Sequence, residues 1–468
     1  MQYTTETVTA LATQVANAFT TAFAAAAQPG AAVPTMATLE TQLRELLRQV
    51  GQQTLSTLLS RGEGTPVATM ACACGGTLHY QRQRPATVVS VFGKMTYTRP
   101  YYAGCACGHG LAPRDVAYGL TPGAVTSGLA SLLGLTGIAF GFAEGRQWVQ
   151  QFLLFDVAAH TIRAETQTFG QLQQTRETAQ QAQSQSEAAL QARVRAAPTG
   201  AARLYGSIDA AKVRIEPRVR LGERPTSEKT EAWRDLKVGC WYEVAPVRAV
   251  AASARERIKL ARDQVAWRAT TIHYYCDIAE ASLFGEQLWS AGVAANADVA
   301  QELVFVCDGA VWIWHLVEHY FPKAVQIVDW FHAEEHLERV AQAAFPNLIA
   351  RAQWLDPVTT DLWEGRVADV LRACEALAPH CAEARQAAGY FQNNAERMRY
   401  DQFRAAGYVI GSGTVESACK QIVARRLKVS GAQWNPDGAV LTAKARAAYL
   451  SGDWQILATA RAALPLAV

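Results

Sequence analysis

Three acidic residues stand where a carboxylate could carry out chemistry. Asp209 follows the run Leu-Tyr-Gly-Ser-Ile, Asp308 follows Leu-Val-Phe-Val-Cys, and Glu416 follows Gly-Ser-Gly-Thr-Val. The first two runs are typical of buried strands, and the third is typical of the start of a helix. Any one of these acids alone could be an ordinary loop or capping residue. Together they predict a site in which Asp209, Asp308 and Glu416 bind Mg²⁺, and Gly309 would let a DNA backbone approach.

The chemistry predicted for such a site is metal-assisted phosphoryl transfer. Two Mg²⁺ ions about 3.5–4 Å apart can activate an attacking oxygen and stabilise a leaving oxygen. Mn²⁺ could substitute for Mg²⁺. Asp329 and His332 follow the next apolar run, at residues 324–328, and could point into the same site. The alternative for His332 is that it caps the following helix or packs in the core.

The elements that would position these acids begin after Gly200. We predict three strands, a helix, a strand, a helix, a strand and a helix, with strands at 203–215, 237–244, 270–276, 303–307 and 324–328. Residues 341–405 have a helical pattern throughout and separate Asp308 from Glu416. Residues 414–450 are predicted to form two helices joined near Gly431. Carboxylates on two strands and a closing helix are typical of an RNase H-like α/β core, here with an all-α insertion.

The segments before Gly200 have other patterns. Residues 36–50 are predicted to form an amphipathic helix that ends at Gly51, and residues 66–112 a small β-rich module. Two short helices, at 122–134 and 140–152, precede a third that begins near Asp156. These three could form a helix-turn-helix unit or a plain helical spacer. Residues 171–197 are predicted to form one long polar helix.

Four of the ten cysteines are grouped as two Cys-x-Cys pairs, Cys72/Cys74 and Cys105/Cys107. Clustered pairs in an intracellular chain favour a structural zinc site over four unmetallated thiols. The single residue between the cysteines strains chelation by each pair, so His79 and His109 are reserve ligands. The other cysteines are expected to pack as small apolar residues: Cys240, Cys276, Cys307, Cys374, Cys381 and Cys419.

Composition limits the class of protein. A chain of 468 residues is expected to form three or four domains, and half of its residues are hydrophobic. No apolar run reaches the roughly 18 residues that span a bilayer. No cluster of Lys or Arg precedes an apolar segment at the N-terminus, which predicts no secretory signal. We therefore expect a cytoplasmic, nucleoid-associated protein with no membrane partner.

The formal net charge is only +3, so DNA binding would depend on local clustering of cations. Residues 418–446 contain six cations and a single acid, Asp437; the cations are Lys420, Arg425, Arg426, Lys428, Lys444 and Arg446. One interpretation is a solvated helix face. Because the stretch adjoins Glu416, we predict that it contacts DNA phosphates instead.

Four tryptophans lie near the acids in the sequence: Trp312, Trp314, Trp330 and Trp434. Core packing is the default role for tryptophan. A platform for an unstacked base is the alternative for Trp330 or Trp434. We count Trp434 with Lys420, Arg425, Arg426 and Lys428 as the predicted DNA contacts.

These motifs resemble those of DDE transposases of bacterial insertion sequences, in particular the ISKra-type group related to the Mutator-like superfamily. The matching segments are Ser207–Ala210, Val306–Ala310, Ile327–His332 and Ile410–Lys420, followed by Arg425–Lys428 and Ser430–Trp434. The resemblance extends from about residue 66 to residue 450, and the segment around Glu416 is its longest and most specific part. Asp329 and His332 look like the superfamily's C/D(2)H motif.

The resemblance implies that Asp209, Asp308 and Glu416 form a DDE triad. It implies an enzyme that cleaves the ends of its own element and transfers the 3′-OH ends to target DNA. The partners would be double-stranded DNA, as terminal inverted repeats and as target, and a second copy of the chain, because two ends must be brought together. The alternatives are a structure-selective nuclease with the same core and a domesticated, non-catalytic DNA-binding protein.

The predicted organisation is multidomain α+β with six segments. They are an N-terminal helical region (1–65), a zinc-ribbon-like cysteine module (66–112), a helical DNA-binding region with the long helix (113–199), the first part of the catalytic core (200–340), the helical insertion (341–405), and the closing part of the core with the C-terminal helices (406–468).

Overall fold

The structure, a computed structural model, describes residues 5–24, 33–60, 66–196, 200–216, 232–247 and 266–464. It is a mixed α+β protein that divides into two compact units. The first unit comprises Met1–Phe169 and Gln455–Val468, and the second comprises Gly170–Trp454. The sequence did not indicate that the C-terminal residues group with the N-terminal ones, since we had assigned residues 406–468 to the predicted core.

The first unit contains a three-stranded antiparallel sheet and several helices. The strands are β1 (Thr69–Ala71), β2 (Thr77–Ser90) and β3 (Gly93–Ala103). The helices are α1 (Thr5–Phe23), α2 (Met36–Ser60), α3 (Pro113–Tyr118), α4 (Ser127–Ala139) and α5 (Phe142–Leu153), and the start of α6 (Ala159–Ser184). The β module and the helices after it were predicted and are present. The prediction of one long polar helix at 171–197 is wrong, because α6 already begins at Ala159 and ends at Ser184, and a separate helix capped by Ser186 covers Glu187–Arg195.

Buried and exposed side chains alternate along β3, and the buried ones contribute to the core of the first unit. Met95 and Tyr97 are buried, whereas Lys94, Thr96 and Thr98 are exposed, which is the period of two expected for a half-buried strand. Arg99 continues the buried face, where its guanidinium pairs with Asp115 at 2.9 Å. The Tyr97 hydroxyl donates to the same carboxylate at 2.6 Å. The buried charge is therefore satisfied by two partners, as a buried ion pair requires.

Helix α2 corrects one prediction, because it continues through Gly51 to Ser60. A Cβ atom at position 51 would lie 2.5 Å from the Phe92 ring. Glycine is thus required there for the close approach of Phe92, and it does not mark the end of the helix.

The second unit is built on a five-stranded sheet with the order β6-β5-β4-β7-β8. The strands are β4 (Leu204–Ile215), β5 (Ala232–Val247), β6 (Ala266–Asp277), β7 (Leu303–Cys307) and β8 (Val325–Val328). β4, β5 and β6 pair antiparallel, whereas β7 pairs parallel with both β4 and β8. The five strands and their order along the chain agree with the sequence prediction.

Helices complete the second unit. In chain order they are α7 (Glu187–Arg195), α8 (Ala281–Ala294), α9 (Val311–Tyr320), α10 (Trp330–Ala344), α11 (Leu348–Trp363), α12 (Val367–Leu377), α13 (Ala382–Asn394), α14 (Tyr400–Ala405), α15 (Gly413–Ala418), α16 (Arg425–Leu427) and α17 (Pro436–Leu450). The last helix, α18 (Trp454–Ala462), belongs to the first unit except for Trp454. A π-helical segment, Cys419–Ala424, joins α15 to α16. Residues 341–405 are helical, as predicted, and the two helices predicted for 414–450 are present.

Among the helices of the described residues, none combines the length and the apolar character needed to cross a bilayer.

Candidate active site

Three aspartates lie on neighbouring strands of the second unit: Asp209 within β4, Asp308 directly after β7 and Asp329 directly after β8. The parallel pairing of β4 with β7 extends to Gly206 and Phe305, three residues before Asp209 and Asp308, and the Asp209 carboxylate is close enough to raise the pKa of Asp308. The next parallel pair joins Cys307 to Val328, and its continuation pairs Asp308 with Asp329. The Asp329 amide donates to the Cys307 carbonyl at 2.7 Å, which holds this end of the sheet together. The predicted acids of the strands are therefore brought together, and Asp329 joins them.

Asp329 differs from the other two aspartates because it is fully buried. It caps α10, where its Oδ1 accepts hydrogen bonds from the amides of Phe331 at 2.5 Å and His332 at 3.0 Å. Its Oδ2 accepts from the Ser412 amide. Burial acts to raise the pKa of Asp329, but the hydrogen bonds from His332 and Ser412 outweigh burial and lower that pKa. Asp329 therefore ties the end of β8 to the loop that precedes Glu416.

His332 and Glu416 lie beside Asp329. One ligand atom from each of the three residues lies within 4.8 Å of the other two, so this group could hold a metal ion. The Nδ1 atom of His332 is 3.7 Å from Oδ1 of Asp329. The neighbouring Asp329 carboxylate raises the pKa of His332 to about 9, so its imidazole is cationic at neutral pH. A protonated imidazole offers no lone pair to a metal, which makes His332 a countercharge in this state.

Glu416 is half-buried in the first turn of α15, and Lys420 pairs with it at 3.5 Å. The π-helical segment begins three residues later, at Cys419. Such segments occur frequently at functional sites, since a π turn accommodates an extra residue and changes the face that follows. The Cys419 thiol lies next to Asp209: burial, and then the Asp209 carboxylate, raise the pKa of Cys419. The helix that carries Glu416 therefore packs directly over the Asp209 strand.

Burial, together with neighbouring like charges, shifts the pKa of Asp308. Burial raises the pKa of Asp308, and Asp209 and Asp329 raise it further. The Ala310 amide, which donates to Oδ1 at 3.0 Å, and His332 act in the opposite direction. The net effect is a raised pKa, so the folded protein disfavours the ionised form of Asp308. A cation bound among these acids would relieve that cost.

One expectation for this region is corrected. Gly309 was expected to leave room for a DNA backbone. A Cβ atom at position 309 would lie 2.0 Å from Cε2 of Tyr390. The Tyr390 ring occupies the space beside Gly309, so the glycine serves packing between β7 and α13.

The basic stretch is divided between surface and interior. Lys420, Arg425 and Lys428 are exposed, as a phosphate-binding surface requires. Arg426 is only 1 % exposed, and burial, then Arg446, lower its pKa to about 10. The prediction that Arg426 contacts DNA is therefore wrong, because its guanidinium lies 5.1 Å from the Trp434 ring centroid inside the protein. The sequence held a signal for this, since Arg426 continues the helical stripe of apolar residues Ile422, Val423 and Leu427.

Lys444 also serves the interior. It is 1 % exposed and pairs with Glu177 at 2.5 Å and with Asp277 at 3.0 Å. Burial disfavours its charge, but the two carboxylates hold the pKa of Lys444 above its usual value. Arg446 is likewise buried and donates to the Gln421 carbonyl. These cations stabilise the fold and are not available to a phosphate.

Three of the four tryptophans near the acids in the sequence are buried, and Trp312 is half-buried. Trp434 is 5 % exposed, and its indole donates to the Leu427 carbonyl at 3.0 Å. Trp330 is 2 % exposed, between the rings of Trp363 and Tyr400. Neither can act as a platform for a base without leaving the core, and the prediction that Trp434 contacts DNA is wrong. Trp314 is also buried.

The four grouped cysteines of the first unit form a second candidate metal site. Their Sγ atoms all lie within 4.8 Å of one another, with Cys72 3.5 Å from Cys107 and Cys74 3.4 Å from Cys105. Tetrahedral zinc with Zn–S bonds of about 2.3 Å separates its sulfurs by roughly 3.8 Å. The amide of Gly76, then the neighbouring thiols, lower the pKa of Cys74 to about 7. The group does not include His79 or His109, and the single-residue spacing does not prevent the cysteines from meeting.

The remaining six cysteines are all buried, as predicted for apolar packing residues.

Neither protein-family models nor curated proteins give a match to this chain.

Sequence reasoning missed the contribution of Ser412 to the site. Its backbone amide, which binds Asp329, carries no side-chain signal. It also missed the contact between Cys419 and Asp209, because a cysteine in an apolar context is typical of core packing. Both residues lie within Ile410–Lys420, the segment that contains Glu416.

Proposed function

We propose that this protein is a DNA transposase that cleaves the ends of its insertion sequence and transfers the 3′-OH ends to target DNA. The observation that carries the proposal is the placement of Asp209, Asp308 and Asp329 close together on neighbouring strands, with Glu416 on the helix packed beside them. Convergent carboxylates on rigid elements are what metal-assisted phosphoryl transfer requires.

We further propose that the second unit is an RNase H-like core interrupted by a helical insertion at residues 341–405. The strand order β6-β5-β4-β7-β8 supports this, with three antiparallel strands followed by two parallel ones. The insertion would separate Asp308 from Glu416 in sequence while the sheet and α15 keep them near each other.

The donor set around these aspartates fits Mg²⁺, which prefers carboxylate oxygens. Asp209, Asp308 and Glu416 would hold the ions, because each is half-buried and therefore reachable. Bound there, two Mg²⁺ ions would supply positive charge to the attacking and leaving oxygens of a phosphodiester. Mn²⁺ could take their place. Burial and the neighbouring carboxylates raise the pKa of Asp308, and bound cations would neutralise the negative charge that this environment disfavours.

Asp329 and His332 would position the site. Both oxygens of Asp329 already accept backbone hydrogen bonds, so it is better suited to fixing the Ser412 loop than to binding an ion. His332 is cationic at neutral pH and could donate to a non-bridging phosphate oxygen near Asp308. Lys420, Arg425 and Lys428 would bind the DNA backbone, since they are the exposed cations of the stretch after Glu416.

The cysteine group is proposed as a structural zinc site that stabilises the β module of the first unit. Four sulfur ligands without an open position are typical of structural zinc. A homodimer is proposed because two DNA ends must be joined in one reaction.

The test is a strand-transfer assay with sequenced products. Purified protein is mixed with the DNA segments that flank its own gene, a plasmid target and Mg²⁺. Joined products with defined ends are expected from the wild type. Asp209→Ala, Asp308→Ala and Glu416→Ala should abolish cleavage while DNA binding is retained, since the cations supply affinity. Asp361→Ala is the control, because Asp361 lies on α11 and pairs with Arg366 at 2.8 Å.

The outcomes separate the alternatives. Cleavage without joining would favour a structure-selective nuclease. Binding with no cleavage under any metal would favour a non-catalytic DNA-binding protein. Cleavage by a variant lacking all three acids would exclude the proposed site.

A further inference from the structure

A groove of about 220 Å³ lies at the far end of β4, away from the acids. Arg214 and Trp233 lie directly opposite each other on β4 and β5 and form one wall. The other wall is the chain segment at 427–433, which includes Lys428.

The buried residues Arg426 and Trp434 explain why this groove has a fixed shape. Trp434 forms a parallel bridge with Ile215, and its carbonyl accepts the Glu216 amide at 2.8 Å. Its indole binds the Leu427 carbonyl, and Arg426 stacks on its ring. The segment between Leu427 and Trp434 is thereby anchored at both ends against β4. The groove is preformed, which lowers the entropic cost of binding a ligand.

The surface chemistry of the groove suits nucleic acid. Trp233 is 54 % exposed, which is unusual for so large an aromatic side chain. Arg214 and Lys428 flank it and are both exposed. Among the described residues, two acids lie near these cations: Glu216 is 3.5 Å from Arg214, and Asp235 is paired with Lys212 at 3.2 Å. An aromatic face between exposed cations matches a sugar or base flanked by phosphates.

Two elements lead from the acids to this groove, and their lengths along the chain are similar. From Asp209 to Arg214 the chain of β4 covers about 17 Å, at about 3.4 Å per residue, and the five-residue spacing directs the two side chains to opposite faces of the strand. From Glu416 to Lys428 the helical chain covers about 18 Å, at about 1.5 Å per residue. Lys420 and Arg425 are exposed along this second path. A duplex that rises about 3.4 Å per base pair would cover the same distance in about five base pairs.

We propose that this groove binds the arm of duplex DNA about five base pairs from the phosphate at which Asp209, Asp308 and Glu416 act. Arg214 and Lys428 contact phosphates, and Trp233 packs against the deoxyribose between them. The inference rests on the proposed function, because that function defines the reacting phosphate.

The first experiment varies the length of the duplex arm beyond the cleaved bond. For the wild type, kcat/KM should rise about tenfold when the arm extends past about five base pairs. In the double variant Trp233→Ala, Arg214→Gln the ratio of long-arm to short-arm kcat/KM should fall to about one. Trp267→Ala is the matched control, since Trp267 is a 40 % exposed tryptophan on β6 that does not line this groove. A double variant that keeps the wild-type ratio would overturn the proposal.

The second experiment does not depend on turnover. Trp233 is replaced by the photo-crosslinking residue benzoylphenylalanine, and the crosslinked nucleotide is mapped on duplexes that carry the element end. A crosslink about four to seven nucleotides from the cleavage position is expected from the same distances. A crosslink elsewhere, or none, would refute the groove assignment. If the wild type cleaves no substrate but still crosslinks within the element end, the proposed function fails while the groove remains a DNA site.

Discussion

Replacing Asp308 with Asn should make the metal-free protein more stable, although it removes a residue proposed to be essential for cleavage. Burial and the neighbouring carboxylates raise the pKa of Asp308, so the folded state carries its negative charge at a cost near pH 7. Asparagine retains an oxygen that can accept the Ala310 amide at 3.0 Å. The substitution therefore removes the charge and keeps the local hydrogen bond.

The magnitude follows from the strand spacing. Neighbouring strands lie about 4.8 Å apart, so the carboxylates of Asp209 and Asp308 can be about 5 Å apart. At an effective dielectric constant of about 20, two such charges repel each other by about 3 kcal/mol. The cationic His332 and solvent at these half-buried groups offset part of this repulsion. We expect Asp308→Asn to raise the free energy of unfolding by about 1–2 kcal/mol in EDTA.

The assay is urea unfolding at pH 7 in EDTA and again in millimolar Mg²⁺. Wild type should gain about 1.4 kcal/mol when Mg²⁺ is at ten times its dissociation constant. Asp308→Asn should gain little from Mg²⁺. The difference in the free energy of unfolding between the variant and wild type should therefore become smaller or change sign. Asp361→Asn should lose up to about 1 kcal/mol in both conditions, because it breaks an exposed ion pair with Arg366.

A single result would refute this reasoning. If Asp308→Asn were less stable than wild type in EDTA, the Asp308 carboxylate would be stabilised by its surroundings. The crowding argument for a cation among these acids would then fail, whatever the variant does to cleavage.

Three further outcomes are expected. Asp329→Asn should lower the free energy of unfolding by about 2 kcal/mol, measured by urea unfolding, because the amide nitrogen faces the Ser412 amide and leaves a buried donor unsatisfied; it should also slow cleavage, and an unchanged stability would argue that Asp329 does not tie the Ser412 loop to β8. Lys444→Met should cost about 3–5 kcal/mol at pH 7, since it leaves Glu177 and Asp277 buried without their cation. Burial raises the pKa of Glu177, so the variant should regain part of this stability near pH 5, measured by urea unfolding at both pH values. Cys74→Ser should remove about one zinc per chain by elemental analysis and lower the thermal stability of the β module, whereas zinc-free wild-type protein would rule the site out.

The two parallel strands β7 and β8 could be predicted closely from the sequence because each is a short and largely apolar run. The predicted strand at 303–307 coincides with β7, and the one at 324–328 differs from β8 by a single residue. Parallel neighbours also make their carboxyl ends meet at one edge, so acids that directly follow such runs converge. That rule applies to Asp308 and Asp329, which directly follow β7 and β8, whereas Asp209 lies within β4.

The burial of some of the basic residues could not be predicted in the same way. Lys444 pairs with Glu177, which lies far earlier in the chain, and no local pattern links the two residues. Arg426 occupies an apolar stripe, and its position beside Trp434 depends on how the segment at 428–433 returns to β4. The charge of a Lys or Arg side chain predicts a position on the surface. A carboxylate or an aromatic ring that the fold brings close can nevertheless stabilise the side chain in the interior.

The buried and the exposed cations that follow Glu416 have different roles. Arg426 and Trp434 hold the chain against the end of β4, so the positions of Arg425 and Lys428 on the surface are fixed relative to the acids. Without that anchor, Lys428 would lie on a mobile loop and a phosphate bound there would not be at a defined distance from Asp209. The two residues that were wrongly predicted to contact DNA therefore matter to DNA binding through the geometry that they impose. Arg426→Met, which keeps the volume and removes the stacking charge, should leave the cation count of the surface unchanged. It should nevertheless reduce the dependence of kcat/KM on arm length, because the groove would lose its fixed wall, and an arm-length dependence equal to that of wild type would show that Arg426 serves stability alone.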